Sequence, residues 1–314
     1  MFSIPLYLIN GFLEAGKTSF INDVLTNGDF ADGQKTVLIL CEEGEVEYSQ
    51  SELTNLNIVS VTVDDEEAFH VDFLKDCVRK YRPKRIFVEM NGMWDPKWMF
   101  EEKLPAGIEI AQVITIVDAS TFQVYVNNMK GILSNLFTYT EMVIFNRASE
   151  EMPLHAFRRA VRGVNPRAMV YFEDEDANPV DPGMEEPPYD LNADVIQIDD
   201  MDYGLWYLDV SDNTDRYEGR KVRFLAKIMK SRQFAENTFI PGRNAMTCCE
   251  NDIRFVGYLC KADFAGRLKS RQWVWITAEV RNEYAREYGE EGPVLYGISY
   301  EEAEKPEDEV VYFN

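Results

Sequence analysis

Residues 11–18 read Gly-Phe-Leu-Glu-Ala-Gly-Lys-Thr, which is the spacing G-x-x-x-x-G-K-[ST]. Each fixed position has a chemical reason. Gly11 and Gly16 let the backbone curl until successive N–H groups face one anion. Lys17 brings a long cationic arm to the β- and γ-phosphates of a nucleotide, and the Thr18 hydroxyl is placed to hold Mg²⁺. Glu14, Ala15 and Ser19 lie inside the loop or directly after it and complete its candidate contacts. The loop carries this meaning only between a strand and a helix. The apolar run Ile4-Pro5-Leu6-Tyr7-Leu8-Ile9 precedes it, and Ser19–Leu25 reads as a helix whose N-terminus adds partial positive charge. A Gly-rich turn with a solvated lysine is the plain alternative, and both flanking elements weigh against it.

Phosphoryl transfer asks for positioning and charge neutralisation more than covalent help. Glu42 directly follows one predicted strand and Glu89 ends another, where a carboxylate would hold Mg²⁺ directly or through water. An octahedral ion that keeps several waters needs only one or two carboxylates. The alternative is a solvated carboxylate at a strand end. Lys17, Glu42 and Glu89 therefore form the candidate catalytic set, and Thr18, Glu42 and Glu89 the candidate metal set. The Gly92 N–H is a candidate contact to a γ-phosphate, which would make its segment a switch that senses hydrolysis. No in-cis arginine finger or water-positioning glutamine stands out, so slow turnover, raised by a partner or metal, is expected.

A second group lies far along the chain. Cys248 and Cys249 are adjacent, with Asp252 close behind. Soft thiolates suit Zn²⁺ or Cu⁺. Adjacent side chains on a strand point to opposite faces, so both reach one ion only from a bulge or turn, with Cys260 returning on the next strand. Two small buried hydrophobes are the equally weighted alternative. Cys41 ends a predicted buried strand, and burial is the expected reading there. The two histidines, His70 and His155, read as ordinary helix residues.

The elements that must position these groups divide the chain in two. In the first half, strands at 35–41, 56–63, 85–89, 111–118, 141–146 and 167–172 alternate with helices at 69–78, 121–137 and 153–164. That alternation predicts an α/β fold, a mostly parallel sheet with helices on both faces. Ligands in such sheets sit beyond the carboxyl ends of the strands, where the loop, Glu42, Glu89, Asp118 and Asn146 all fall. Residues 176–190 are acidic and proline-rich and read as a linker between domains at 1–175 and 191–314. The last part offers strands at 221–230, 253–260, 273–280 and 294–300, with turns at 217–220 and 290–293. Strands without long intervening helices predict a smaller all-β domain, a five-stranded Greek-key barrel of the OB type. Trp206, Tyr207, Trp273 and Trp275 alternate as strand residues do, and core packing is expected for them.

Composition bounds the rest. A hydrophobic share of 46% supports a substantial core, and 314 residues allow two domains. No apolar run approaches the ~20 residues of a membrane span, and no secretory signal is visible at the start, so a cytoplasmic protein that does not itself span a membrane is expected. Against 32 basic residues stand 55 acidic ones, a net charge of −23, which opposes binding to nucleic acid. Five cysteines in such a chain suggest thiols or metal ligands rather than disulfides.

The first half resembles the CobW branch of the CobW/UreG-like P-loop GTPases. The residues that carry this are Gly11–Thr18, Glu42-Glu43-Gly44-Glu45-Val46 with Cys41 where Asn is usual, Val88–Pro96 with its E-x-x-G-x-x-x-P pattern, and Val117-Asp118-Ala119. The resemblance implies GTP as the nucleotide, Mg²⁺, a possible Zn²⁺, and a role in metal-centre assembly or metal homeostasis. Two stretches depart from it. The base-reading loop, expected as N-K-x-D or T-K-x-D, is Asn146-Arg147-Ala148-Ser149, so Asn146 and Arg147 are carried over but the carboxylate is not, and ATP stays open. The C-x-C-C metal motif expected between Gly44 and Arg85 is reduced to Cys77 alone. The second half resembles the soluble C-terminal domain of YcgQ-type bacterial proteins, through Arg243–Asp252, Trp273 and Val311-Tyr312-Phe313, a family thought to work beside a membrane permease. The expected function is a slow GTP-hydrolysing metallochaperone or metal-homeostasis protein with a nucleotide-sensing switch and a metal-receiving client. The alternative is a non-catalytic nucleotide-binding adaptor that docks a permease-associated partner through its β-domain.

Overall fold

The computed structural model describes residues 3–27, 30–42, 44, 46–183, 185–246 and 253–313. The chain separates into two compact units, residues 1–182 and 183–314.

In the first unit seven strands form one parallel sheet: β1 (Ile4–Asn10), β2 (Thr36–Leu40), β3 (Ile58–Thr62), β4 (Arg85–Glu89), β5 (Ile108–Asp118), β6 (Met142–Asn146) and β7 (Met169–Phe172), in the order β3-β2-β4-β1-β5-β6-β7. The strands are nearly continuous apolar runs because both faces are covered; all five residues of β4 are buried. One face packs Ile9, Phe87 and Ile116 against Ile21 and Leu25 of α1 (Lys17–Asn27). The other face carries Leu8, Ile39 and Val88 under α3 (Val71–Tyr81) at one end, and Val143, Phe145 and Phe172 under α7 (Leu154–Val164) at the other. Short helices α2 (Gln50–Asn55) and α4 (Lys97–Glu101) lie in the connections; sequence periodicity is too brief at five or six residues to announce them. The single helix expected over 121–137 is two, α5 (Ala119–Asn128) and α6 (Lys130–Thr138), with Met129 between them at φ −133°. An apolar pattern that stays in phase through a break hides the break. His70 is not inside a helix: its Nδ1 caps α3 by accepting from the Asp72 N–H at 3.1 Å.

In the second unit β9 (Lys221–Met229), β10 (Thr238–Met246), β12 (Leu259–Lys261), β13 (Trp273–Ala285) and β14 (Glu290–Glu302) close on themselves. β9 pairs antiparallel with β10, β10 antiparallel with β12, β12 parallel with β14, β14 antiparallel with β13, and β13 antiparallel with β9. That ring is a five-stranded Greek-key barrel of the OB type. β8 (Ile196–Gln197), β11 (Arg254–Gly257) and β15 (Val310–Tyr312) extend it. The expected strand over 253–260 is two strands, separated at Tyr258. The turn expected at 290–293 lies inside β14. The hairpin turns instead just before it, at Gly289 with φ +77°. Trp206 and Tyr207 are not strand residues. They lie on α8 (Tyr203–Asp212), and Trp206 is fully buried beside Tyr203 and Phe224. A helix that is apolar on most sides gives no clean period. A buried network, Tyr189 to Tyr217 to Asp209 to Arg216, ties residue 189 into this unit's core. Among the described residues no helix is long and apolar enough to cross a membrane.

Candidate nucleotide site

The loop between β1 and α1 turns as its glycines permit. Gly11 sits at φ +141° and Gly16 at +98°, conformations that glycine adopts without a side-chain penalty; between them Glu14 takes the left-handed region at +62° with its side chain in place. A Cβ at position 11 would stand 2.2 Å from the Ile116 carbonyl oxygen, and one at position 16 would stand 2.5 Å from Asn146 Nδ2. Ala15 is buried; its carbonyl accepts from Asn146 Nδ2 at 2.7 Å, so the end of β6 fixes the loop from behind. Asn146 Oδ1 is buried and has no hydrogen-bond partner.

Lys17 is almost wholly buried. Its ammonium donates to the carbonyls of Gly11 at 2.8 Å and Phe12 at 2.7 Å and forms an ion pair with Glu42. Burial pushes the Glu42 carboxyl above its ordinary range, and the Lys17 ammonium pulls against that shift. Thr18 Oγ1 donates to Glu89 Oε1 at 2.6 Å, and Tyr48 donates its hydroxyl to Glu89 Oε2, also at 2.6 Å. Burial and the adjacent Glu89 charge raise the Tyr48 phenol far above its ordinary value, so it remains a neutral donor.

A cavity of about 370 Å³ opens on these groups, lined among others by Gly16, Lys17, Thr18, Glu42, Glu89 and Arg147. Glu14 and Ser19 also reach it. Gly92 does not line it; it packs on the loop, and a Cβ there would meet the Gly11 carbonyl oxygen at 2.3 Å and the Phe12 nitrogen at 2.8 Å. Gly11, Ala15 and Asn146 likewise shape the loop from outside the cavity. Arg147, at φ +52°, donates to Asp118 Oδ2 at 2.5 Å and to the Glu14 carbonyl at 3.3 Å. Asp118 also caps α5 through the Ser120 N–H. Asp118 is visible in the sequence as a strand end and as the middle of Val117-Asp118-Ala119, but its bond to Arg147 is not; nothing local marks Tyr48, which acts across strands on Glu89.

The donor set fits Mg²⁺. One hydroxyl and two carboxylates meet at one cavity, the Thr18 hydroxyl already donates its hydrogen bond to a carboxylate, and Lys17 reaches an anion once it leaves Glu42. All are hard ligands suited to a hard cation.

Cys41 is buried and its thiol is pushed up to about 12, chiefly by burial. Cys77 is buried on α3, pushed up to about 11 for the same reason. Cys260 is fully buried in the barrel core, and burial keeps it a thiol. Cys248, Cys249 and Asp252 lie outside the described residues. Among the described residues there is no group of three or more His, Cys, Asp or Glu arranged to hold a metal. Arg243, which precedes that stretch, is buried, ion-paired with Asp200 and stacked over Trp273.

The strand–loop–helix turn at the centre of a parallel sheet, with its lysine, threonine and strand-end carboxylates, defines a P-loop nucleotide-binding domain. Residues 5–172 match the model of the CobW/HypB/UreG nucleotide-binding domain, more than half of the chain, and the protein belongs to that family. Residues 176–313 match the model of the DUF1980 C-terminal domain. A curated relative, the zinc chaperone CobW from Sinorhizobium sp, is 30% identical over 37% of this chain and 37% of its own length, so the match spans little more than a third of that protein. Similar solved structures include the Zn(II)-bound YjiA GTPase from E. coli, at 18% identity, 77% of this chain, 86% of that chain and a TM-score of 0.45. The hydrogenase maturation factor HypB from Archaeoglobus fulgidus stands at 11% identity, 56% of this chain, 84% of that chain and a TM-score of 0.41.

Proposed function

We propose that this protein binds GTP with Mg²⁺ at the loop 11–18, hydrolyses it slowly, and uses the nucleotide state to control metal delivery as a metallochaperone or metal-homeostasis factor. The observation that carries this is the convergence of Lys17, Thr18, Glu42 and Glu89 on one cavity, reached from the start of α1, from just after β2 and from the end of β4. Lys17 would exchange its bond to Glu42 for the β- and γ-phosphates. Thr18 would hold Mg²⁺, with Glu89, and Glu42 once freed, holding it directly or through its waters. When bound, Mg²⁺ neutralises charge on the transferring phosphoryl group. Gly92, pressed on Gly11, and the segment after Glu42 would feel the change between the two nucleotide states.

Family membership and the zinc chaperone relative support the metal role. Zn²⁺ would be cargo, and Cys248, Cys249 and Asp252 are our candidates to receive it. We keep a nucleotide domain at 1–175 and a β-domain at 191–314 joined by the stretch 176–190, whose Tyr189 packs into the β-domain's core, together with a cytoplasmic location and a metal-receiving client, as parts of this reading. Release of phosphate from GTP and from ATP, with and without Zn²⁺, tests it: no release under any condition, or equal release by Lys17→Ala, defeats hydrolysis.

The loop Asn146-Arg147-Ala148-Ser149 supports a second reading. Its arginine is tied to Asp118 and its last residue offers no carboxylate to a base. On that reading the chain is a non-catalytic adaptor that binds nucleotide and docks a permease-associated partner. Tight binding of nucleotide by calorimetry, without turnover, selects it.

A further inference from the structure

Tyr48 stands outside every motif of the nucleotide site, yet it touches the residue on which the metal chemistry depends. Glu89 is 4% exposed, and a buried carboxylate needs partners for its oxygens. Here each oxygen has one: Oε1 accepts from Thr18 at 2.6 Å and Oε2 accepts from Tyr48 at 2.6 Å. A threonine hydroxyl has one proton to give and two lone pairs. Once the proton is committed to Glu89, the lone pairs are left for a cation. That orientation lasts only while Glu89 itself stays fixed, and the hydroxyl of Tyr48 is what fixes its far oxygen.

We propose that Tyr48 is a positioning residue for Mg²⁺ binding: its hydroxyl holds Glu89, and Glu89 in turn holds Thr18 with its oxygen presented to the ion. This rests on the reading of the loop 11–18 as a Mg²⁺–nucleotide site, and it adds a link between the ion and the chain that follows Glu42. Glu42 is anchored on Lys17, and Tyr48, six residues later, is anchored on Glu89. The two anchors oppose each other in effect. Phosphate must displace Glu42 from Lys17, whereas the bond from Tyr48 serves the ion. Directly after Tyr48, Ser49 caps α2 by accepting from the Glu52 N–H, so the tyrosine enters from the foot of a helix.

Residues that orient a metal's ligands without touching the metal commonly change metal affinity by about 10- to 100-fold when removed. The full-length Tyr48→Phe protein keeps the ring and loses only the hydroxyl. A fluorescent GTP analogue and a fluorescent ATP analogue are titrated in excess chelator, and then Mg²⁺ is titrated into each complex. The expected result is nucleotide affinity in chelator within twofold of wild type and a Mg²⁺ midpoint raised about tenfold. Ser49→Ala, which alters the same segment without touching Glu89, should leave the Mg²⁺ midpoint in place. A Tyr48→Phe midpoint within twofold of wild type overturns the proposal. So does a loss of affinity in chelator equal to the change in the midpoint, or an equal shift from Ser49→Ala, because each marks a general loosening of the segment. Failure of the wild-type protein to bind either nucleotide is a different result: it removes the nucleotide-site reading itself, and this proposal with it.

Discussion

The ammonium of Lys17 is ion-paired with the carboxylate of Glu42, and the two side chains are only 2% and 8% exposed. The lysine that would grip phosphate is thus already neutralised by a residue from the end of β2. Nucleotide entry must break this pair, and removing the acid should make entry easier. Glu42→Gln is expected to raise nucleotide affinity in the absence of Mg²⁺ by about tenfold, the scale of one charge-assisted hydrogen bond. It should also lower turnover by at least about tenfold, since a candidate ion-holding carboxylate is lost. Calorimetry in chelator and phosphate release check the two halves; weaker binding in chelator would contradict the first.

Lys17→Ala removes both the cation and the plug that bonds Gly11 and Phe12. Binding of GTP and ATP should fall by about a hundredfold, twice the free energy of a single charge-assisted contact. Equilibrium titration measures it, with thermal unfolding as the check on structure.

Gly92 has no room for a side chain, because a Cβ would meet the backbone of Gly11 and Phe12 at 2.3 to 2.8 Å. Backbone cannot step aside as a flexible side chain can. Gly92→Ala should destabilise the first unit by about 1–3 kcal/mol and push the loop off its position. Gly131→Ala, at a site with nothing within 4 Å, is the matched control. Urea unfolding midpoints compare them, and equal midpoints would contradict the packing argument.

The loop 146–149 offers a base no carboxylate. Ser149→Asp should therefore strengthen GTP binding by about tenfold or more, the worth of a charge-assisted contact, and leave ATP binding unchanged. Parallel titrations with the two nucleotides read the difference. An equal gain for both would place residue 149 away from the base edge.

Arg85 is buried and bonds Asp32 through both terminal nitrogens, at 3.1 and 2.8 Å. The guanidinium holds the Asp32 carboxyl below its ordinary 3.8. A depressed carboxylate contributes stability that is fully present above its unfolded value and is lost as the pH falls through its folded value. The wild-type protein should therefore lose stability on acidification below about 3.8 more steeply than Asp32→Asn. Unfolding midpoints followed from pH 6 to pH 2 show this as a flatter acid limb in the variant.

Much of the first unit was legible from the residues alone. The strands at 85–89 and 141–146, the loop and the alternation of elements are contiguous signals, and a parallel sheet buried on both faces writes each strand as an apolar run. The barrel was legible in type but less so in detail. β10 carries Pro241 and Gly242 and does not look like a strand, yet it pairs with β9, β11, β12 and β15. The pleat tolerates Gly242 because Val256 and Phe255 of β11 approach too closely for a side chain. β14 reads through Gly292-Pro293, where composition suggests a turn, because its partner β13 continues alongside to Ala285.

The sequence by itself determined that this chain carries a phosphate-loop motif and which fold presents it, because an eight-residue loop and a periodic pattern are local properties of the chain. Only the tertiary structure decided that Glu42 plugs Lys17, that Tyr48 holds Glu89, that Arg147 is drawn to Asp118, and that five strands close into a ring. Each of these depends on the order in which distant strands lie side by side, and that order is set by burying both faces of a sheet at once, which no short stretch of residues encodes.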